Sequence, residues 1–88
     1  MKKVYVVVGI CYPYDEDAFT IVSAHAVKST LEKAQDEFVA ILNEIAKEAA
    51  EQEYKYSTSF NADKTLMRVT FNFGTEEVYK IHEQIVDF

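Results

Sequence analysis

The chain has 88 residues, 49% of them hydrophobic, and a formal net charge of -6, a balance that predicts one folded domain over residues 1–88 and argues against a disordered chain. Nine Lys and Arg are scattered among 15 acids, so the basic footprint of a protein that binds nucleic acid directly is missing. The single cysteine allows no internal disulfide, and no stretch reaches the roughly 18 apolar residues of a membrane span, which together point to the cytoplasm and away from the membrane.

Lys2 and Lys3 before VYVVVGICY imitate a short signal peptide, but the β-branched run and the lack of a small-residue cleavage site favour a strand. Residues 4–11, VYVVVGIC, are apolar on both alternating faces, the pattern of a central strand covered on two sides. AFTIVSAHAV at 18–27 predicts a second strand. The intervening PYDED has turn chemistry, because proline presets φ and aspartate bonds the local backbone. A turn centred near Asp15 and Glu16 places Val6 opposite His25, Val8 opposite Ser23 and Cys11 opposite Thr20.

Ser29 followed by Glu32 has the spacing of a capping box, so a helix is predicted over 29–53. Leu31, Ala34, Phe38, Ile41, Leu42, Ile45 and Ala49 share one side of it, an amphipathic stripe of several turns. The same segment holds seven acids against Lys33 and Lys47, so most of the net charge lies on one element. Glu37, Glu44, Glu48 and Glu51 run along one flank. Glu51 and Glu53 stand where the helix dipole prefers cations, which predicts a stop near Gln52.

YKYSTSF (54–60) and TLMRVTFNF (65–73) flank NADK and predict a second hairpin. Opposing Tyr56 to Val69, Thr58 to Met67 and Tyr54 to Phe71 puts the apolar residues, Phe60 and Phe73 among them, on one face. The tail GTEEVYKIHEQIVDF has helical spacing at Val78, Ile81, Ile85 and Phe88 after a Thr-Glu-Glu start, predicting a second helix over 75–88. Alternation of Tyr79, Ile81, Glu83 and Ile85 makes a fifth strand the alternative.

The order ββαββα predicts an α+β fold, with two antiparallel hairpins in one four-stranded sheet and both helices on one face. The opposite face would carry an apolar half from the first hairpin (Tyr5, Val7, Cys11, Val22, Ala24, Ala26), which a second copy would cover in a homodimer.

Chemistry is bounded mostly by exclusion. The two glycines form no phosphate loop, and Cys11, His25, His82 and the Asp15–Asp17 run have no metal-ligand spacing, so neither cofactor nor metal is expected. In the predicted register Cys11 and His25 lie about 17 Å apart on opposite faces, and Cys11 reads as a small buried hydrophobe. Tyr5, Tyr12, Tyr14 and Arg68 are candidate partner contacts, since tyrosine suits surfaces that are apolar at one end and wet at the other.

These features predict a non-catalytic protein-interaction module, a homodimer that also binds another protein. The alternative is an acidic inhibitor or nucleic-acid-mimic decoy, of the phage counter-defence type, presenting Glu37, Glu44, Glu48 and Glu51 to a basic nucleic-acid-binding protein. A third class, a small ligand-binding protein or enzyme, would be marked by a deep pocket containing His25 or His82.

Overall fold

The computed structural model describes residues 2–13 and 21–86. In chain order the elements are β1 (Lys2–Tyr12), β2 (Ile21–Lys28), α1 (Leu31–Gln52), β3 (Tyr56–Phe60), β4 (Leu66–Phe71) and β5 (Glu76–Val86). The strands form one sheet in the order β2-β1-β5-β4-β3, antiparallel throughout, with α1 packed on one face.

The tail is therefore a strand, and the helix predicted over 75–88 is wrong. The fold is a five-stranded sheet with one helix, not four strands with two. β5 pairs with β1 from Lys2↔Val86 to Tyr12↔Glu76 and with β4 from Leu66↔Lys80 to Thr70↔Glu76. As a helix the same residues would leave β1 and β4 each with a row of unpaired N–H and C=O groups. A Thr-Glu-Glu helix start contributes only about 1 kcal/mol. Two ladders and the burial of Val78 and Tyr79 outweigh it. Gly74, at φ 96°, turns the chain from β4 into β5: its N–H donates to the Phe71 carbonyl at 3.0 Å, and the Phe71 N–H donates to the Thr75 carbonyl at 2.9 Å.

α1 begins one residue later than the capping-box pattern implies. Thr30 is the cap, its hydroxyl accepting from the Lys33 N–H at 3.1 Å, while the Ser29 hydroxyl accepts from the Lys33 ammonium at 3.5 Å. The helix ends at Gln52, closed by Glu53 in the left-handed region, whose N–H donates to the Ala49 carbonyl. Its buried stripe of Ala34, Phe38, Ile45 and Ala49 meets Val7, Met67, Val69, Phe71 and Tyr79 from the sheet, with Ile41 and Leu42 at the margin. The Gln35 amide fixes the helix over the β3–β4 loop by donating to the Asp63 carbonyl at 3.2 Å.

Both hairpin registers differ from the predicted ones, with different consequences. β3 and β4 pair Tyr56 with Phe71 and Thr58 with Val69, two residues from the predicted alignment. A shift of two keeps every side chain on its face. The loop is longer than NADK because the Asn61 side chain accepts from the N–H groups of Thr65 and Leu66 at 2.8 and 3.0 Å, holding five residues between the strands. Phe60 and Phe73, expected in the core, are 44% and 51% exposed.

In the first hairpin a β-bulge lies between Val7 and Val8, so Val7 pairs with Ala26 but Val8 with Ala24. The extra residue, His25, changes the face on which part of β2 presents its side chains. The predicted turn around Asp15 and Glu16 lies outside the described residues.

Phe38, 2% exposed at the centre of the helix–sheet contact, should be the most sensitive core position. Phe38→Ala is expected to lower stability by about 3–5 kcal/mol, read as a fall in the urea midpoint at unchanged slope. A loss below about 1 kcal/mol would contradict this packing.

Candidate functional site

Three strands converge beside α1 to build a cleft. Gly9 of β1 pairs with Ser23 of β2 on one side and Tyr79 of β5 on the other. Having no side chain, Gly9 leaves a gap in that row, and the bulged His25 leans into it. A Cβ at position 9 would lie 2.5 Å from His25 Nε2 and 3.0 Å from Tyr79 Cε1. The His25 ring meets Tyr79 edge to face, centroids 5.3 Å apart, and its Nε2 lies 3.2 Å from the Ser23 hydroxyl. Two residues along the same ladder, Cys11 stands opposite Glu77. Cys11, Ser23, His25, Glu77 and Tyr79 line a small pocket of about 130 Å³ around Gly9 and Ile10.

This overturns the predicted separation of Cys11 and His25. Without the bulge their side chains would point to opposite faces; with it both line one pocket. The sequence contains no residue that announces a bulge at this position.

The pocket shares His25, Glu77 and Tyr79 with a larger cleft of about 410 Å³ between α1 and the sheet. Glu37, Ala40, Ile41, Glu44, Ile45 and Glu48 come from one stripe of α1, and His25, Glu77 and Tyr79 from the strands. Steps of seven and four residues place the three helix carboxylates in a row above an apolar floor. Lys28 of β2 reaches Glu37 at 3.6 Å. Among the described residues, Glu44 and Glu48 have no ion-pair partner.

The electrostatics follow from burial and from Glu77. Tyr79 donates to Glu77 Oε1 at 2.7 Å. Burial first, and then this hydrogen bond and the carboxylate's charge, hold the phenol well above its ordinary range. Burial and Glu77, in that order, also raise the Cys11 thiol, and burial followed by Glu48 and Glu77 raises the Tyr54 hydroxyl. A raised thiol is the opposite of what a cysteine nucleophile needs. The Glu77 carboxylate that would complete a Ser-His-acid relay is bonded to Tyr79 instead. Among the described residues no three His, Cys, Asp or Glu side chains converge as metal ligands.

The other candidate positions are dispersed. Tyr5 is partly buried and packs against the core beneath α1. Tyr12 and Arg68 lie together on the opposite face, lining a depression of about 250 Å³ with Leu66, Glu76, Val78 and Lys80. There Arg68 is paired with Glu76 at 2.8 Å. Tyr14 lies outside the described residues. Glu51 sits beyond the cleft, in a neighbouring depression with Glu44, Lys47, Glu48 and Gln52. His82 pairs across from Val6, on the far face from His25. The strand-borne groups missed by the sequence reading are Gly9, Ser23, Glu77 and Tyr79. Alternation along the tail was the one signal that could have placed the last two.

No protein-family model, curated protein or solved structure matches the chain. Among the described residues no helix is long and apolar enough to cross a membrane.

A raised thiol has less thiolate at a given pH, so Cys11 should react with iodoacetamide at about pH 8 several-fold more slowly than a free thiol. Glu77→Gln, which removes the nearby charge, should speed the reaction. Alkylation faster than that of a free thiol would contradict this environment.

Proposed function

We propose that the protein is a non-catalytic interaction module whose α1–sheet cleft holds a Lys- or Arg-bearing segment of a partner protein. The observation that supports this reading is the pairing of an apolar floor, Ile41, Ile45 and Tyr79, with carboxylates from two elements, Glu37, Glu44 and Glu48 of α1 and Glu77 of β5. Lysine and arginine side chains suit such a surface, burying an aliphatic stem while the charged head reaches the rim. An anionic strand would meet repulsion there.

The decoy reading names a special case of the same surface, in which the captured segment belongs to a nucleic-acid-binding protein. What favours it is the continuation of the acidic row past the cleft, through Glu48 to Glu51. Carboxylates at helical steps stand several ångströms apart, comparable to phosphates along a strand.

A fluorescent arginine-rich decapeptide tests the cleft directly. Its affinity should fall about ten-fold or more with Glu44→Lys and Glu48→Lys together. It should also weaken as salt rises from about 50 to about 500 mM. Glu32→Lys with Asp36→Lys makes the same change in net charge on exposed positions outside the cleft, and should have a smaller effect. Equal losses from the two pairs would mean that net charge alone attracts the peptide, and the cleft assignment would fail.

A further inference from the structure

The face of the sheet away from α1 is apolar over two of its five strands, and no element among the described residues packs across it. Even-numbered β1 residues point there, because their odd-numbered neighbours Tyr5 and Val7 pack under α1. Val6, Val8 and Ile10 pair with Val27, Ala24 and Val22 of β2, which gives six apolar side chains on two strands with no charge among them. Val22 and Val27 are each 64% exposed. This corrects the sequence reading of the open face: Val22 and Ala24 belong to it, but Tyr5, Val7, Cys11 and Ala26 belong to the helix side.

Three observations indicate what covers this patch. First, the chain exposes 6278 Å², whereas a monomer of 10.1 kDa exposes roughly 5,300 Å². The excess of roughly 1,000 Å² is close to the ~800 Å² that each partner contributes to a standard interface. Likewise, the radius of gyration is 14.2 Å, against about 12 Å for a compact domain of this length. Second, the patch has part of the anatomy of an interface, an apolar area on β1 and β2 bordered on its inner side by polar groups, Tyr12 at the end of β1, Lys80 of β5 and the Arg68–Glu76 pair. Third, the carboxylates of the cleft lie on the opposite side of the sheet, so two copies meeting back to back keep those charges apart.

We infer that the occupant is a second copy of this chain, the two sheets packing face to face through β1 and β2 as in an aligned sandwich. Side chains from two such faces interdigitate across about 10 Å. The dimer leaves both acidic clefts outward and open. It uses the opposite face from the basic-segment cleft, so either assignment can fail while the other stands.

Sedimentation velocity on the full chain between about 1 and about 100 μM tests this. A species of twice the chain mass is expected at the upper concentration, persisting at high salt because its contact is apolar. Val22→Glu alters a side chain already exposed in the single chain, so folding should survive. It is expected to weaken dimerisation at least about ten-fold. Val8→Thr keeps the β-branched shape, adds a hydroxyl at the patch centre and should act in the same direction. Circular dichroism verifies the fold of both variants. A wild-type monomer at about 100 μM, or a dimer indifferent to both substitutions, overturns the inference.

Discussion

The fold depends on one backbone constraint: β5 lies between two hairpins that would otherwise have separate edges. Its 11 residues pair with β1 along their whole length and with β4 over the first half. Every side chain of β5 is thereby assigned a face. Glu77, Tyr79 and Ile81 turn toward α1, while Val78, Lys80 and His82 turn toward the open side. The helix then covers a surface that already spans both hairpins. That is why Phe38 can touch the β3 ring of Phe60, at a centroid distance of 6.4 Å, while Ile41 and Ile45 overhang Tyr79.

The same constraint builds the cleft, assisted by two local irregularities. The bulge brings His25 to the helix side of the sheet, and Gly9 supplies the space for its ring. Any side chain at position 9 would meet that ring or Tyr79. The result is a polar pocket over a continuous sheet, with Tyr79 held by Glu77 and Cys11 kept as a thiol. Among the described residues its one imidazole–hydroxyl pair, His25 with Ser23, lacks an orienting carboxylate. The row of glutamates on α1 gives the cleft its sign, and the apolar floor beside it is the feature on which the proposed capture of long cationic side chains rests.

Much of this was legible in the sequence, and the failures have physical causes. A run apolar on both faces placed β1, alternation placed β3 and β4, and the 3.6-residue stripe placed α1 within two residues at each end. The second hairpin kept its faces despite a two-residue error because side-chain direction in a strand repeats every two residues. The first hairpin lost its face assignment for β2 because one unannounced residue, His25, breaks that period. The tail failed for a different reason. Val78, Ile81 and Ile85 satisfy a helical pattern as well as a strand pattern, and the choice was made by the unpaired edges of β1 and β4, which no local window contains. Glu37, Glu44 and Glu48 were recognisable as an acidic flank. Their meeting with Glu77 and Tyr79 followed only once β5 was in place.

The sheet thus has two faces of opposite character, acidic and grooved under α1, apolar and open behind β1 and β2, and β5 carries the register that separates them. Native-state amide hydrogen exchange tests that role most directly, because an interior strand with ladders on both sides opens only in global unfolding. Amides at 78–81 are expected among the slowest to exchange, slower than those of the edge strands β2 and β3. Exchange at 78–81 as fast as at 57–60 would contradict the central position of β5.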